Sequence, residues 1–193
     1  MRFAFDERKV TAAAALLITL QGGQARYLRL IKLLYLADRE SFRRFGRPIS
    51  GDRYVAMKKG PVLSRVLDLI KDVPCETTGD WAAHIERFGQ YSVRVRSDPG
   101  RGPLSEAEIE VLTETFNLFR QHDQWHIVEV THLLPEYRWA WKTQSRITPE
   151  SILKALDQPE EAIEDARARA FEREYFDRMF GSALSATDRP DVR

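Results

Sequence analysis

The stretch ARYLRLIKLLYLADRESFRR, residues 25–44, carries apolar side chains at helical spacing along its whole length. Tyr27, Ile31 and Phe42 are among the positions that fall on one broad face, which predicts a long helix buried on that side. Gly46 follows two residues later, and glycine is the residue most often found just beyond a helix C-terminus. We therefore expect a long, partly buried helix that ends at Gly46.

Further helices are predicted on both sides of this one. Asp6 is suited to cap a helix over residues 7–21, and a third helix should begin at Pro61, because proline is favoured at the first helical position. Ser105 and Glu108 form a capping-box pattern for a helix that reaches Phe119. The later predicted helices cover residues 124–133, the segment from Thr148 to a break at Gln158-Pro159, and the segment from there to Phe180, with Gly181 as the stop.

Two short extended regions interrupt the helices. Residues 53–57 follow a Ser-Gly-Asp turn, and residues 91–95 alternate apolar and polar side chains, so we expect the second region to pair with residues 83–88 as a hairpin. The predicted fold class is α+β and mainly α-helical, a single compact helical domain with a small antiparallel hairpin or sheet and a long C-terminal helix. Its expected divisions are a domain over 1–145, a C-terminal helical extension over 146–181 and a disordered tail over 182–193.

Composition places the chain among ordinary globular proteins. Of its 193 residues, 43% are hydrophobic and 31% charged, which allows a substantial core. The apolar run from Thr11 to Leu20 is too short to span a bilayer, so we expect no membrane segment. The single cysteine, Cys75, cannot form an intramolecular disulfide and fits a reducing compartment. We therefore expect a cytoplasmic protein.

Charge is distributed unevenly along the sequence. Residues 1–71 contain 15 Lys and Arg against 6 Asp and Glu, whereas residues 72–193 contain 15 against 23. A dipolar surface favours oriented association with a charged partner, which could be an acidic protein face or a nucleic acid. The charge distribution does not choose between these two partners.

An ordered series of motifs lies between residues 31 and 62. The helix segment Ile31–Asp38, the turn Gly46–Asp52, the stretch Tyr54–Met57 and the helix start Gly60–Val62 together resemble the signature of the Panacea (SocA-like) antitoxin family. Members of that family are similar in a K-L-L-Y helix, a G-x-P-I turn, a Y-x-A stretch and a G-P-V helix start, in this order. The resemblance covers residues 27–70 and extends more loosely to His132 and Trp139.

The resemblance implies a function. It implies an antitoxin that binds and neutralises a cognate protein toxin, with no catalytic activity and no cofactor. Some members also resemble proteolytic adaptors that deliver the toxin to a cytoplasmic AAA+ protease. We expect the toxin to be the main partner, such a protease to be a further one, and nucleic acid to be no partner.

The signature residues are expected to serve the fold. Asp38 shares a helix face with Leu34 and Phe42, where an unpaired carboxylate is costly, so it needs a hydrogen-bond donor. Tyr27, Tyr35, Tyr54 and nearby arginines are the candidate donors. The residues that we expect to have such structural roles are Lys32, Tyr35, Asp38, Gly46, Pro48, Tyr54, Gly60 and Pro61.

Two groups of residues are candidates for partner contact. Lys58 and Lys59 precede a predicted helix start, where free amides favour anions, so an acidic partner group could dock there, although solvated lysines are equally compatible. On the C-terminal helix an aromatic stripe could pack on its own domain, grip a toxin, or pair two copies as a homo-oligomer. The candidate partner-binding residues are Arg39, Arg43, Arg44, Lys58, Lys59, Phe171, Tyr175 and Met179.

Other functional classes are less well supported. His122, His126 and Glu129 could share a helix face, but Asp123 as the helix cap would leave His122 outside and aimed elsewhere, so we predict no metal site. No serine has a histidine neighbour in a catalytic pattern, which argues against an enzyme. The main alternative is a DNA-binding regulator that uses the basic N-terminal half, although no helix-turn-helix pattern is present. A hydrolase that uses the histidines has the least support.

Overall fold

The computed structural model describes residues 1–74, 77–138 and 146–184. Within these ranges the helices are α1 (Glu7–Leu20), α2 (Tyr27–Phe45), α3 (Ser64–Ile70), α4 (Asp80–His84), α5 (Glu106–Leu118), α6 (Gln124–His132), α7 (Pro149–Ala155) and α8 (Glu160–Leu184). The strands are β1 (Gln24–Arg26), β2 (Tyr54–Met57), β3 (Gly60–Leu63), β4 (Ile85–Phe88), β5 (Ser92–Val95) and β6 (Arg146–Ile147). The predicted fold class, mainly α-helical with small antiparallel sheets, is confirmed.

The predicted helix ends are visible as capping contacts. The Asp6 side chain accepts a hydrogen bond from the Lys9 amide, and Ser105 with Glu108 forms a complete capping box at the start of α5. Thr148 caps α7 in the same way. Gly46 adopts the left-handed conformation at the end of α2, with φ at 66°. These four helix boundaries were predicted correctly because each cap acts within one turn of its helix.

Helix α2 lies in the centre of the core. Its residues Leu30, Leu33 and Tyr35 are fully buried, and the helix packs against α1, α5 and α6. Helix α1 contributes Val10 and Leu17, which are also fully buried. The broad apolar face that the sequence predicts for residues 25–44 is thus covered from several sides.

Two small antiparallel sheets flank these helices. One has the strand order β1-β5-β4 and the other has the order β3-β2-β6. The predicted hairpin is present as β4 and β5, with Ile85 opposite Val95. The second sheet contains the signature residues from Tyr54 to Leu63, with Tyr54 opposite Leu63 and Met57 opposite Gly60.

The prediction that a helix begins at Pro61 is wrong. Residues 60–63 form strand β3, and the helix begins three residues later at Ser64. Pro61 pairs with Ala56, and β3 lies at the edge of its sheet, where a missing backbone N–H is tolerated. At this position, strand pairing therefore outweighs the local preference for proline at the start of a helix.

Two further boundaries differ from the prediction. Residues 24–26 form strand β1, because they pair with β5 across about 70 residues of sequence, and the central helix begins only at Tyr27. Helix α8 continues through Gly181 to Leu184, since one glycine in a helix costs only about 1 kcal/mol relative to alanine. Residues 182–184 of the expected tail therefore belong to α8, and residues 185–193, like Cys75 and Trp139, lie outside the described residues.

No helix in the described ranges has the length and apolar character needed to cross a membrane.

Candidate functional site

Asp38 is the acceptor of a buried hydrogen-bond cluster that joins the turn after α2 to β2. Its Oδ1 accepts from the amides of Ile49 (2.8 Å) and Ser50 (2.9 Å), and its Oδ2 accepts from the hydroxyl groups of Tyr54 (2.8 Å) and Ser50. Burial raises the pKa of Asp38 to about 6, although the hydrogen bonds act in the opposite direction. With 2% of its surface exposed, this carboxylate holds the fold and is not open to a substrate.

Lys32, one and a half turns earlier on α2, is fully buried. Its Nζ donates to the carbonyl oxygen of Pro61 at 2.6 Å, and burial lowers the pKa of Lys32 to about 7. Gly60 lies directly against this amine with φ at 89°, and a Cβ there would be 2.8 Å from Nζ and 2.7 Å from Thr131 Oγ1. The Gly-Pro pair of the signature therefore makes room for the lysine and provides its acceptor.

Glu136 connects α2 to the helical turn at residues 135–138. Its Oε1 accepts from the Tyr35 hydroxyl group at 3.0 Å and from Arg39 Nε at 2.8 Å. Burial, reinforced by this carboxylate, raises the pKa of Tyr35. Glu136 is 1% exposed, and its Oε2 has no hydrogen-bond partner among the described residues.

His132 adds an aromatic layer beside Lys32. Its ring stacks on Tyr137, with centroids 4.9 Å apart and an interplanar angle of 6°. Burial and the nearby Lys32 cation lower the pKa of His132, while a hydrogen bond with the Lys58 backbone raises it. The Tyr137 hydroxyl group donates to the Met57 carbonyl oxygen at 3.1 Å. The β2–β3 hairpin is thus fastened to α2 and to the end of α6.

The three arginines of α2 that were candidates for partner contact form ion pairs within the chain. Arg39 pairs with Glu136, Arg43 with Glu40 at 2.5 Å, and Arg44 with both Glu40 (2.6 Å) and Glu114. Each guanidinium therefore already has a carboxylate partner. This pairing also weakens the case for α2 as a DNA-binding surface.

Lys58 and Lys59 form the exposed turn between β2 and β3. They do not precede a helix, because the segment after them is a strand. Lys59 Nζ lies 5.0 Å from the ring centroid of Trp125, which is 49% exposed. The exposed turn therefore carries two lysines, one of which lies beside the exposed Trp125 ring of α6.

The aromatic stripe of α8 faces solvent. Phe171, Tyr175 and Met179 are 69%, 53% and 56% exposed. The opposite face of α8 packs on the domain through Ile163 and Ala166, both 1% exposed, and through Ala170. Of the three interpretations of the stripe, packing on its own domain is therefore excluded for these side chains, and contact with a toxin or with a second copy stays a prediction.

The histidines do not assemble into a metal site. His122 stacks on His126 with ring centroids 4.2 Å apart, so the expectation that His122 points elsewhere is wrong. The chain turns tightly before the cap, with the His122 amide bonded to the Phe119 carbonyl oxygen, and this turn brings the two rings together. Among the described residues, no group of three or more His, Cys, Asp or Glu side chains could hold a metal ion.

Several buried carboxylates were missed by the sequence interpretation. Asp52 accepts from the amides of Arg65 and Val66 at the start of α3, and Glu7 accepts from the Trp81 amide in α4. Glu136 is the third. The donors named here lie between 13 and 101 residues away from their carboxylates in sequence, so no local pattern indicates these hydrogen bonds.

Comparison with known families agrees with this arrangement. The family model described as antitoxin SocA-like, Panacea domain, matches residues 30–140, which is more than half of the chain. The chain therefore belongs to the SocA-like antitoxin family with a Panacea domain. The matched range includes most of α2, the β2–β3 hairpin, Asp38 and Glu136. No curated protein and no solved structure matches this chain.

Proposed function

We propose that the protein is a cytoplasmic antitoxin that binds a cognate protein toxin and neutralises it without catalysing a reaction. The observation that carries this proposal is the exposed stripe of Phe171, Tyr175 and Met179 on α8, in a chain that belongs to an antitoxin family. Moving three large, mostly apolar side chains from water into a complementary groove lowers the free energy of the system. The stripe is therefore the proposed toxin contact.

The β2–β3 turn has a secondary place in this proposal. Lys59 lies beside the exposed Trp125 ring, and cations at an exposed turn, such as Lys58 and Lys59, act on the encounter with an acidic partner more than on the final complex. Arg43 and Arg44 add to the positive field of this half of the chain, although each shares the carboxylate of Glu40. Reversing the charge of both lysines should slow toxin association more than it speeds dissociation.

The test replaces the stripe without touching the buried face. Phe171→Ser, Tyr175→Ser and Met179→Ser are combined in one full-length chain, and Glu164→Ser with Arg167→Ser serves as the control on exposed positions of the same helix. The cognate toxin is sought first in the neighbouring open reading frame. Each antitoxin variant is then expressed with the toxin, and cell survival, complex formation and melting temperature are measured.

We expect the stripe variant to melt like the parent but to lose toxin binding and protection, while the control protects fully. A stripe variant that still binds and protects would refute this role for α8. The lifetime of the toxin separates two modes of neutralisation: a toxin that persists in the complex indicates occlusion, and a toxin that disappears only when a AAA+ protease is present indicates delivery to that protease. Mass in solution shows whether the stripe instead pairs two copies of the chain.

A further inference from the structure

Open cavities surround the N-terminal segment, residues 1–5, and together we call them the N-terminal groove. Three adjoining cavities form it, with volumes of about 580, 200 and 520 Å³. Phe3 and Ala4 line all three cavities. One wall is formed by α8 and the turn after α2, and the other by the residues that precede β2, by α3 and by the start of α7.

The groove is lined by arginines that form no ion pair with the described part of the chain. Arg47 and Lys9 line it too, but both pair with Glu108, and Arg8 lies 3.9 Å from Asp80. The remaining arginines form no ion pair with any described residue; they are Arg2, Arg53, Arg65, Arg146, Arg169 and Arg173. Arg169 and Arg173 are one turn apart on α8, and the other four come from separate places in the sequence, so only the fold brings the five groups together.

The acidic side chains of the groove are already engaged. Asp52 is 6% exposed and accepts three backbone amides, and Glu174 pairs with Arg178 at 3.2 Å. Asp6 caps α1, and Glu7 accepts from the Trp81 amide. The lining contains nine Arg and Lys side chains against four carboxylates, so the groove has an excess of positive charge, and its concave walls concentrate that field.

We propose that the N-terminal groove binds an acidic segment of the partner protein, with its carboxylates docked on these arginines. A guanidinium group matches a carboxylate in a two-pronged geometry, so a row of unpaired arginines favours this ligand. Phe3, Phe5 and Ala170 place apolar surface between the cations, which suits the methylene groups of Glu and the apolar neighbours of an acidic segment. Cavities of this size admit single side chains but not a nucleic-acid duplex.

The inference rests on the proposed function for the identity of the partner. The groove and the aromatic stripe are nevertheless two separate surfaces. Ala166, Ala170 and Arg173 lie on the face of α8 that borders the groove, whereas Phe171 and Tyr175 lie on the opposite face. Removal of the arginines therefore leaves the aromatic stripe unchanged. The two surfaces can be tested independently of each other.

The experiment measures binding of a labelled oligoglutamate peptide to the full-length protein by fluorescence anisotropy. The groove variant combines Arg53→Gln, Arg146→Gln and Arg173→Gln, which are all exposed and outside ion pairs. The control combines Arg96→Gln, Arg101→Gln and Arg120→Gln, which are exposed elsewhere and give the same change in net charge. A single-stranded oligothymidylate of equal charge is titrated in parallel, and melting temperatures establish that all chains are folded.

We expect the groove variant to lose about tenfold or more in affinity for the peptide and to show a weaker salt dependence, while the control changes by less than about twofold. Equal losses in both variants would overturn the proposal, because the attraction would then depend on net charge alone. Tighter binding of the oligothymidylate, lost in the groove variant, would also overturn it in favour of nucleic acid. If the peptide result fails while the stripe variant still loses protection, the groove inference falls and the proposed antitoxin function stands.

Discussion

Two buried ionisable groups of opposite sign, Lys32 and Asp38, lie six residues apart on α2, and they differ in the hydrogen bonds that they form. Asp38 receives hydrogen bonds on both oxygens, from three different residues. Lys32 is fully buried and has one acceptor among the residues that the structure describes, the Pro61 carbonyl oxygen. Burial disfavours the charged form of both, so the pKa of Asp38 rises and the pKa of Lys32 falls.

Replacement of Asp38 should destabilise the fold and not merely a binding surface. We expect Asp38→Ala to lower the free energy of unfolding by about 1 to 3 kcal/mol, because the amides of Ile49 and Ser50 and the Tyr54 hydroxyl group would lose their acceptor. Denaturant titration measures the change. Asp98→Ala, at an exposed loop position, is the control and should cost less than about 0.5 kcal/mol. An Asp38 variant as stable as the parent would contradict the structural role.

Lys32 should make stability rise with pH above neutrality. The pKa of Lys32 is about 7 in the folded chain but about 10.4 when unfolded, so the unfolded state binds more protons between these values. Stability attributable to Lys32 therefore increases as pH rises from 7 to 9, by about 2 kcal/mol. Lys32→Met should lose this increment, whereas Lys59→Met, at the exposed turn, should retain it. If the curves of stability against pH were parallel for the parent and Lys32→Met, the pKa of Lys32 would not be lowered in the folded chain.

At the scale of elements, the β2–β3 hairpin is the part of the signature that depends most on its neighbours. Its tight turn at Lys58-Lys59 is exposed, but Gly60, Pro61 and Leu63 are buried against α2 and α6. The hairpin is fixed to α2 by the Lys32 amine and to residues 135–138 by the Tyr137 hydroxyl group. These contacts with α2 and with residues 135–138 stabilise the extended backbone of β3.

A methyl group at Gly60 should disturb this junction. Gly60 and Gly22 both have φ at 89°, so alanine is strained equally at either position, but only at Gly60 would its Cβ press on Lys32 and Thr131. We expect Gly60→Ala to cost about 1 to 3 kcal/mol more than Gly22→Ala in the free energy of unfolding. Thermal and denaturant unfolding of both variants provide the comparison. Equal costs would mean that the Lys32 pocket adjusts freely.

At the scale of the whole molecule, the two oppositely charged parts of the sequence fold onto each other. Lys9 and Arg47 from the basic part pair with Glu108, and Arg39 pairs with Glu136. The charge asymmetry read along the chain is therefore partly neutralised inside the fold. Six of the arginines that form no ion pair with a described residue line the N-terminal groove, which draws on both parts of the sequence.

Two truncations should separate the structural half of α8 from its functional half. A chain that ends at Gln158 loses the buried side chains of Ile163, Ala166 and Ala170, and we expect it to lose at least about 2 kcal/mol of stability. A chain that ends at Arg173 keeps them and should remain within about 1 kcal/mol of the parent, yet fail to protect cells from the toxin. Melting curves and the survival assay distinguish the two. A chain ending at Arg173 that protects fully would remove Tyr175 and Met179 from the toxin contact.

The sequence by itself determined the helices that are capped by Asp6, Ser105 and Thr148, the end of α2 before Gly46, and the signature of the family. Caps and helical periodicity act within a few residues, so they can be identified without knowing the fold. Only the tertiary structure decided that Pro61 lies in a strand, that Glu136 is the partner of Arg39, and that the unpaired arginines share one groove. Each of these depends on residues far apart in the chain, whose proximity follows from packing and strand pairing and leaves no local pattern.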